Sequence, residues 1–125
     1  MRVRELVGGD VIWVSPDASL RRAAELMMSK EVGSVAVEVD GALEGILTER
    51  DVLRAVAEDA DFDRDPTSGW MTEYPDSFSP EMSVEEAAGW MLATGFRHLP
   101  VVEGEEILGV ISIKDVLWAM TDPTV

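Results

Sequence analysis

Eleven residues at positions 45–55, reading GILTERDVLRA, return sixty-four positions later at 109–119 as GVISIKDVLWA. Both copies share one grammar: a glycine, two aliphatics, a hydroxyl, two variable residues, an aspartate and an apolar run. The offset holds without a gap from Ser15/Ser79 to Ala55/Ala119. Identities fall at Ser15, Pro16, Ser19, Ala23, Ala24, Met27, Val37, Gly45, Asp51, Val52, Leu53 and Ala55. Such a repeat implies two copies of one supersecondary unit, each too small to bury its own hydrophobic face.

Periodicity assigns the elements of each copy. The run 11–14 is β-prone and is stopped by Ser15-Pro16. Ser19 reads as a helix N-cap, followed by Leu20, Ala23, Ala24, Met27 and Met28 on one stripe, with Gly33 placed to end the helix. Val35, Val37 and Val39 alternate as a half-buried strand, Asp40-Gly41 turns, residues 43–47 return, and residues 49–57 form a second helix. From Trp70 the pattern replays. Ser83 opens a helix ended by Gly95, residues 99–102 and 107–111 pair across Glu103-Gly104, and residues 113–120 close the chain. The expected fold class is α/β (α+β). It comprises two tandem β-α-β-β-α repeats, 1–57 and 70–125, packed with pseudo-twofold symmetry about an acidic linker at 58–69. That linker reads as solvated. Its aspartates do not make a calcium loop, because the required glycine falls on Arg64 and the closing glutamate on Trp70.

Composition narrows the function. Twenty-five acidic residues against ten basic ones give a net charge of −15, which argues against nucleic acid or an anionic membrane as partner. The absence of cysteine and of a signal-peptide core fits a cytoplasmic protein. The single histidine, His98, cannot form a histidine metal cluster, and no nucleophile–base pair surrounds it, so neither a metal site nor an enzyme is expected.

The recurring hydroxyl-x-x-aspartate has two readings. A hydroxyl where a strand runs into a helix stands among unsatisfied backbone N–H groups, a ready anion site, and the aspartate one turn in faces that mouth. The same spacing is also a capping-box pattern, which would make Asp51 and Asp115 structural. Trp13 and Trp90 read as packing residues.

Two in-register copies of G-h-h-(T/S)-x-x-D in a tandem β-α-β-β-α chain resemble the cystathionine-β-synthase (CBS) domain pair, or Bateman module, over essentially the whole length. The resemblance implies a non-catalytic regulatory module that binds an adenosine-type ligand (AMP, ADP, ATP or S-adenosylmethionine, with or without magnesium) in clefts between the repeats. It also implies a homodimer that relays occupancy to a partner protein. Asp51 and Asp115 inherit the ribose-holding role, and Thr48 and Ser112 the hydroxyl role near the phosphates. One cleft would join Thr48, Arg50 and Asp51 to Tyr74, Pro75, Asp76, Arg97 and His98. The other would join Ser112, Lys114 and Asp115 to Asp10, Val11, Ile12 and Ser34. The alternative is a constitutive dimerisation or scaffold module with empty clefts. Val52, Val56, Val116 and Met120 on the second helices are the expected dimer face.

Overall fold

The computed structural model describes residues 1–9 and 11–121; Asp10, one of the expected ligand residues, lies outside the described residues. The chain forms two compact units. A continuous unit spans Ile12–Pro75, and a split unit combines the described residues of Met1–Val11 and Asp76–Val125.

In the continuous unit the elements are β1 (Trp13–Val14), α1 (Leu20–Lys30), β2 (Ser34–Val39), β3 (Ala42–Thr48), α2 (Glu49–Ala57) and β4 (Thr72–Glu73). β1 runs parallel to β2 in the register Val14↔Val37, while β3 runs antiparallel to β2 and also to β4, with Gly45 opposite Glu73. Asp40 and Gly41 turn the β2–β3 hairpin with φ of 50° and 80°, the paired positive φ that a tight two-residue hairpin requires. In the split unit α3 (Val84–Thr94), β5 (His98–Glu103), β6 (Glu106–Ser112) and α4 (Ile113–Met120) repeat the arrangement. Its parallel bridge Phe78↔Val101 is the sixty-four-residue counterpart of Val14↔Val37. The expected α+β architecture of two tandem repeats is the one observed. β1 covers only the second half of the run expected at 11–14.

Each unit has its own core. Val14, Leu20, Ala23, Met27, Val35, Val37, Leu47 and Ala55 form one. Val3, Phe78, Val84, Ala87, Met91, Leu99, Val101, Ile111 and Val116 form the other. The hydroxyls of Ser19 and Ser83 cap α1 and α3, accepting from the N–H groups of Arg22 and Glu86 at 3.1 Å each. Gly95 ends α3 with φ 79°. Gly33 does not end α1, because the left-handed turn comes two residues earlier at Glu31, with φ 55°.

Residues 58–69, expected as a solvated linker, are part of the continuous unit. The carbonyls of Asp65 and Phe62 accept from the N–H groups of Leu20 and Arg21 at 3.1 and 2.9 Å, satisfying donors that the first turn of α1 cannot pair internally. Thr67 is fully buried, its hydroxyl donating to the Ala18 carbonyl at 2.8 Å. Asp63 pairs with Arg21.

Two more expectations are corrected. Val116 is buried in the core and Val52 packs against the other core, so neither belongs to an exposed dimer face. The large apolar residues exposed on α2 and α4 are Leu53, Val56, Leu117, Trp118 and Met120. Trp90 packs, edge-on to Phe78 and stacked on Phe96, whereas Trp13 is 53% exposed. Side chains alternate along β1, and Val14 takes the buried side.

Candidate functional site

The repeated motif builds the same local structure twice. Thr48 ends β3 in extended conformation and becomes the N-cap of α2. Oδ2 of Asp51 accepts from the Thr48 N–H at 2.9 Å and from its hydroxyl at 3.1 Å, while the Asp51 N–H points back to Oγ1 at 3.4 Å. At α4, Oδ2 of Asp115 accepts from the Ser112 N–H at 2.8 Å and its hydroxyl at 3.1 Å, and the Asp115 N–H donates to Ser112 Oγ at 3.2 Å. Both aspartates thus close capping boxes, and the structural reading of the motif is realised in both units. A carboxylate has two oxygens, however, and the box uses only Oδ2. Oδ1 of Asp51 lies 3.5 Å from Arg54, and this carboxylate is 14% exposed.

Sheet register places further residues beside each mouth. Ser34 is the cross-strand partner of Thr48, and the Gly33 carbonyl accepts from the Glu49 N–H at 2.9 Å. In the split unit His98 is the cross-strand partner of Ser112, and the Arg97 carbonyl accepts from the Ile113 N–H at 2.8 Å. Arg97 and His98 were assigned from sequence to the Thr48–Asp51 group; within their own unit, register sets them next to Ser112. Arg50 and Lys114 are exposed at the first turns of α2 and α4.

The segments leading into each repeat supply the rest. The Tyr74 N–H donates to the Glu44 carbonyl at 3.0 Å, continuing the β3–β4 ladder, with φ 44° and a side chain 80% exposed. Tyr74 and half-buried Pro75 share the continuous unit with Thr48, Arg50 and Asp51, while exposed Asp76 belongs to the split unit. Val11 shares the split unit with Ser112, Lys114 and Asp115. Ile12 and Ser34 belong to the continuous unit, where the Ile12 carbonyl accepts from Ala36 at 3.0 Å. Gly45 makes the approach of the leading segment possible: a Cβ there would stand 2.8 Å from the Thr72 carbonyl oxygen. No group of three or more His, Cys, Asp or Glu side chains suited to a metal occurs among the described residues.

One residue of this neighbourhood belongs to neither of the two expected ligand groups. Arg54 donates to the Trp70 carbonyl at 3.0 Å and lies over the Trp70 ring at 5.0 Å, as well as facing Asp51. Its i,i+3 spacing from Asp51 is visible in the sequence, but its partnership with Trp70 depends on tertiary structure.

Known proteins place this geometry. The chain matches the CBS domain family twice, over residues 3–58 and 68–122. It is 34% identical over 114 residues to a CBS domain-containing protein of Bacillus subtilis, covering 90% of this chain and 81% of that one. Among solved structures, a CBS-domain protein from Agrobacterium tumefaciens is 34% identical with a TM-score of 0.86, over 95% of this chain and 92% of that one. A CBS domain protein from Pyrobaculum aerophilum complexed with AMP is 27% identical with a TM-score of 0.85, over 97% and 98%. With two family matches falling on the two copies of its internal repeat, the chain belongs to the CBS domain family as a tandem pair.

Proposed function

We propose that the chain is a non-catalytic sensor that binds an adenosine-type ligand at its Thr48–Asp51 and Ser112–Asp115 mouths and relays occupancy to a partner protein. AMP, ADP, ATP and S-adenosylmethionine are the candidates, with magnesium accompanying a polyphosphate. The observation that carries the reading is the duplicated mouth. In each unit a helix N-terminus presents its hydroxyl and an aspartate whose Oδ1 stays outside the capping box. Two carboxylate oxygens can serve the cap and a ligand hydroxyl at once. The AMP complex of the Pyrobaculum relative supports the ligand class.

Tyr74, Pro75, Val11 and Ile12 are the proposed backbone surfaces for the base, with Asp10, Asp76 and Ser34 completing the two groups. Arg50, Arg97, His98 and Lys114 are the proposed cations. A protein of net charge −15 needs such local cations to retain an anionic ligand. The exposed Leu53, Val56, Leu117, Trp118 and Met120 support a homodimer, and a cytoplasmic location goes with the reading.

A second reading, a constitutive scaffold, draws on the same aspartates, since both already have a structural task in the boxes. A thermal-shift panel with AMP, ATP, S-adenosylmethionine and NAD separates the two. A ligand at one hundred times its Kd raises stability by about 2.7 kcal/mol. A shift with an adenosine compound supports the sensor, and a flat panel supports the scaffold.

A further inference from the structure

We infer that Arg54 is a positioning residue of the ligand site in the continuous unit, where it ties the Asp51 carboxylate to the segment 70–74; the inference rests on the ligand reading above. One guanidinium nitrogen, Nη2, donates to the Trp70 carbonyl at 3.0 Å and stands 3.5 Å from Oδ1 of Asp51. The guanidinium carbon lies 5.0 Å from the centroid of the Trp70 ring, and Nη1 is 3.9 Å from Glu58. An exposed ion pair by itself fixes little. Here one planar group is held on its face by an indole and at its edge by a carbonyl and two carboxylates, which leaves it little rotational freedom.

The consequence reaches both halves of the proposed site. Oδ2 of Asp51 is taken up by Thr48, so Oδ1 is the oxygen that can meet a ligand hydroxyl. At 3.5 Å Arg54 attracts Oδ1 and sets its direction without occupying it as a close hydrogen bond would. The carbonyl that Arg54 holds begins the segment that continues through β4 to Tyr74, whose N–H is fixed on Glu44. A ligand touching both Asp51 and the 71–74 backbone would meet a span already set, so less ordering is required on binding. The other repeat lacks the device. Trp118, sixty-four residues after Arg54, stands in its place, and Leu6, sixty-four residues before Trp70, stands in that of Trp70. The two sites are therefore inequivalent, with the Asp51 site the tighter.

The test is calorimetric titration of AMP, and separately of S-adenosylmethionine, into the full chain. The proteins are wild type, Arg54→Ala, Arg54→Lys, Asp51→Ala and the Asp51→Ala/Arg54→Ala double variant. Arg54→Ala should weaken the tighter site about tenfold, and Arg54→Lys should return to within about threefold of wild type. In the Asp51→Ala background, removing Arg54 should change affinity no further, an outcome that a general loss of stability would not produce. Arg54→Ala binding as wild type does, or losses that add in the double variant, overturns the positioning role and leaves the ligand reading standing. Wild type that binds neither compound, or Asp51→Ala that binds as wild type does, overturns the ligand reading and this inference with it.

Discussion

Thr48 and Asp51 hold each other: the backbone N–H and hydroxyl of Thr48 both reach Oδ2 of Asp51, at 2.9 and 3.1 Å. Ser112 and Asp115 repeat the pair within 0.1 Å of these distances, at 2.8 and 3.1 Å. Asp51→Ala and Asp115→Ala should each cost about 1 kcal/mol of stability, the usual effect of losing a cap. Urea denaturation checks the magnitude. If Asp51 serves ligand as well, the same variant also loses affinity for AMP; stability loss with affinity intact would favour the scaffold.

Glu38 carries the opposite sign. It is 7% exposed, its Oε2 is buried with no hydrogen-bond partner among the described residues, and it follows the register shift in the β2–β3 ladder. Burial raises its carboxyl above the ordinary 4.5. A carboxyl raised by folding binds its proton more tightly in the native state, so its contribution to stability falls as pH climbs above about 4.5. Glu38→Gln, which removes the charge at constant shape, should be more stable than wild type by about 1 kcal/mol at pH 7. The advantage should shrink as pH falls toward about 4.5 and be gone below it. Thermal melts of both proteins from pH 4 to pH 7.5 test this, and a pH-independent difference would count against it.

Gly45 and Gly109 are repeat equivalents, yet they should differ in tolerance. A Cβ at Gly45 would stand 2.6 Å from the Met71 sulfur and 2.8 Å from the Thr72 carbonyl oxygen, and the latter is backbone held in the β3–β4 ladder. At Gly109 the nearest atom is Cγ1 of Val7, at 3.1 Å, a side-chain methyl. Gly45→Ala should cost about 2–3 kcal/mol and Gly109→Ala about 1 kcal/mol or less. Denaturant midpoints with unchanged slopes give the comparison.

Leu53 and Leu117 occupy the same repeat position and are 70% and 57% exposed. A homodimer built on these helices buries them, so Leu53→Glu with Leu117→Glu should shift sedimentation to a 13.7 kDa species. Both substitutions fall outside the two cores, so each unit should stay folded. Wild type that already sediments at this mass would remove the dimer from the proposal.

Features encoded by adjacent residues were legible in the sequence. The serine caps of α1 and α3, the Asp40-Gly41 turn and the paired repeat follow from local chemistry and a fixed offset. The packing of residues 58–69 was not legible, because it rests on backbone carbonyls reaching the start of α1 rather than on apolar periodicity. Gly33 misled because a composition rule points to glycine, whereas the chain had already turned at Glu31. Val52 and Val116 were misassigned because short amphipathic helices give too few turns to separate the core stripe from its shoulder. At the site, the sequence posed capping and ligand binding as alternatives. The geometry of Asp51 and Asp115 lets one side chain serve both, one oxygen for each.

The chain's route through its units has a consequence for dissection. It begins in the split unit, leaves after Val11 for the continuous unit, and returns at Asp76. A fragment cut along the sequence repeat, at residue 57 for instance, would carry the described residues of Met1–Val11, which belong to the other unit, and lack β4, which pairs with β3. The continuous unit is Ile12–Pro75, and the two segments of the split unit flank it in sequence. Val3 is wholly buried among Phe78, Val84 and Val116, and the N–H of Val84 is held by the carbonyl of Met1. Removing residues 1–3 would therefore loosen the unit that holds α3, β5, β6 and α4 before the other.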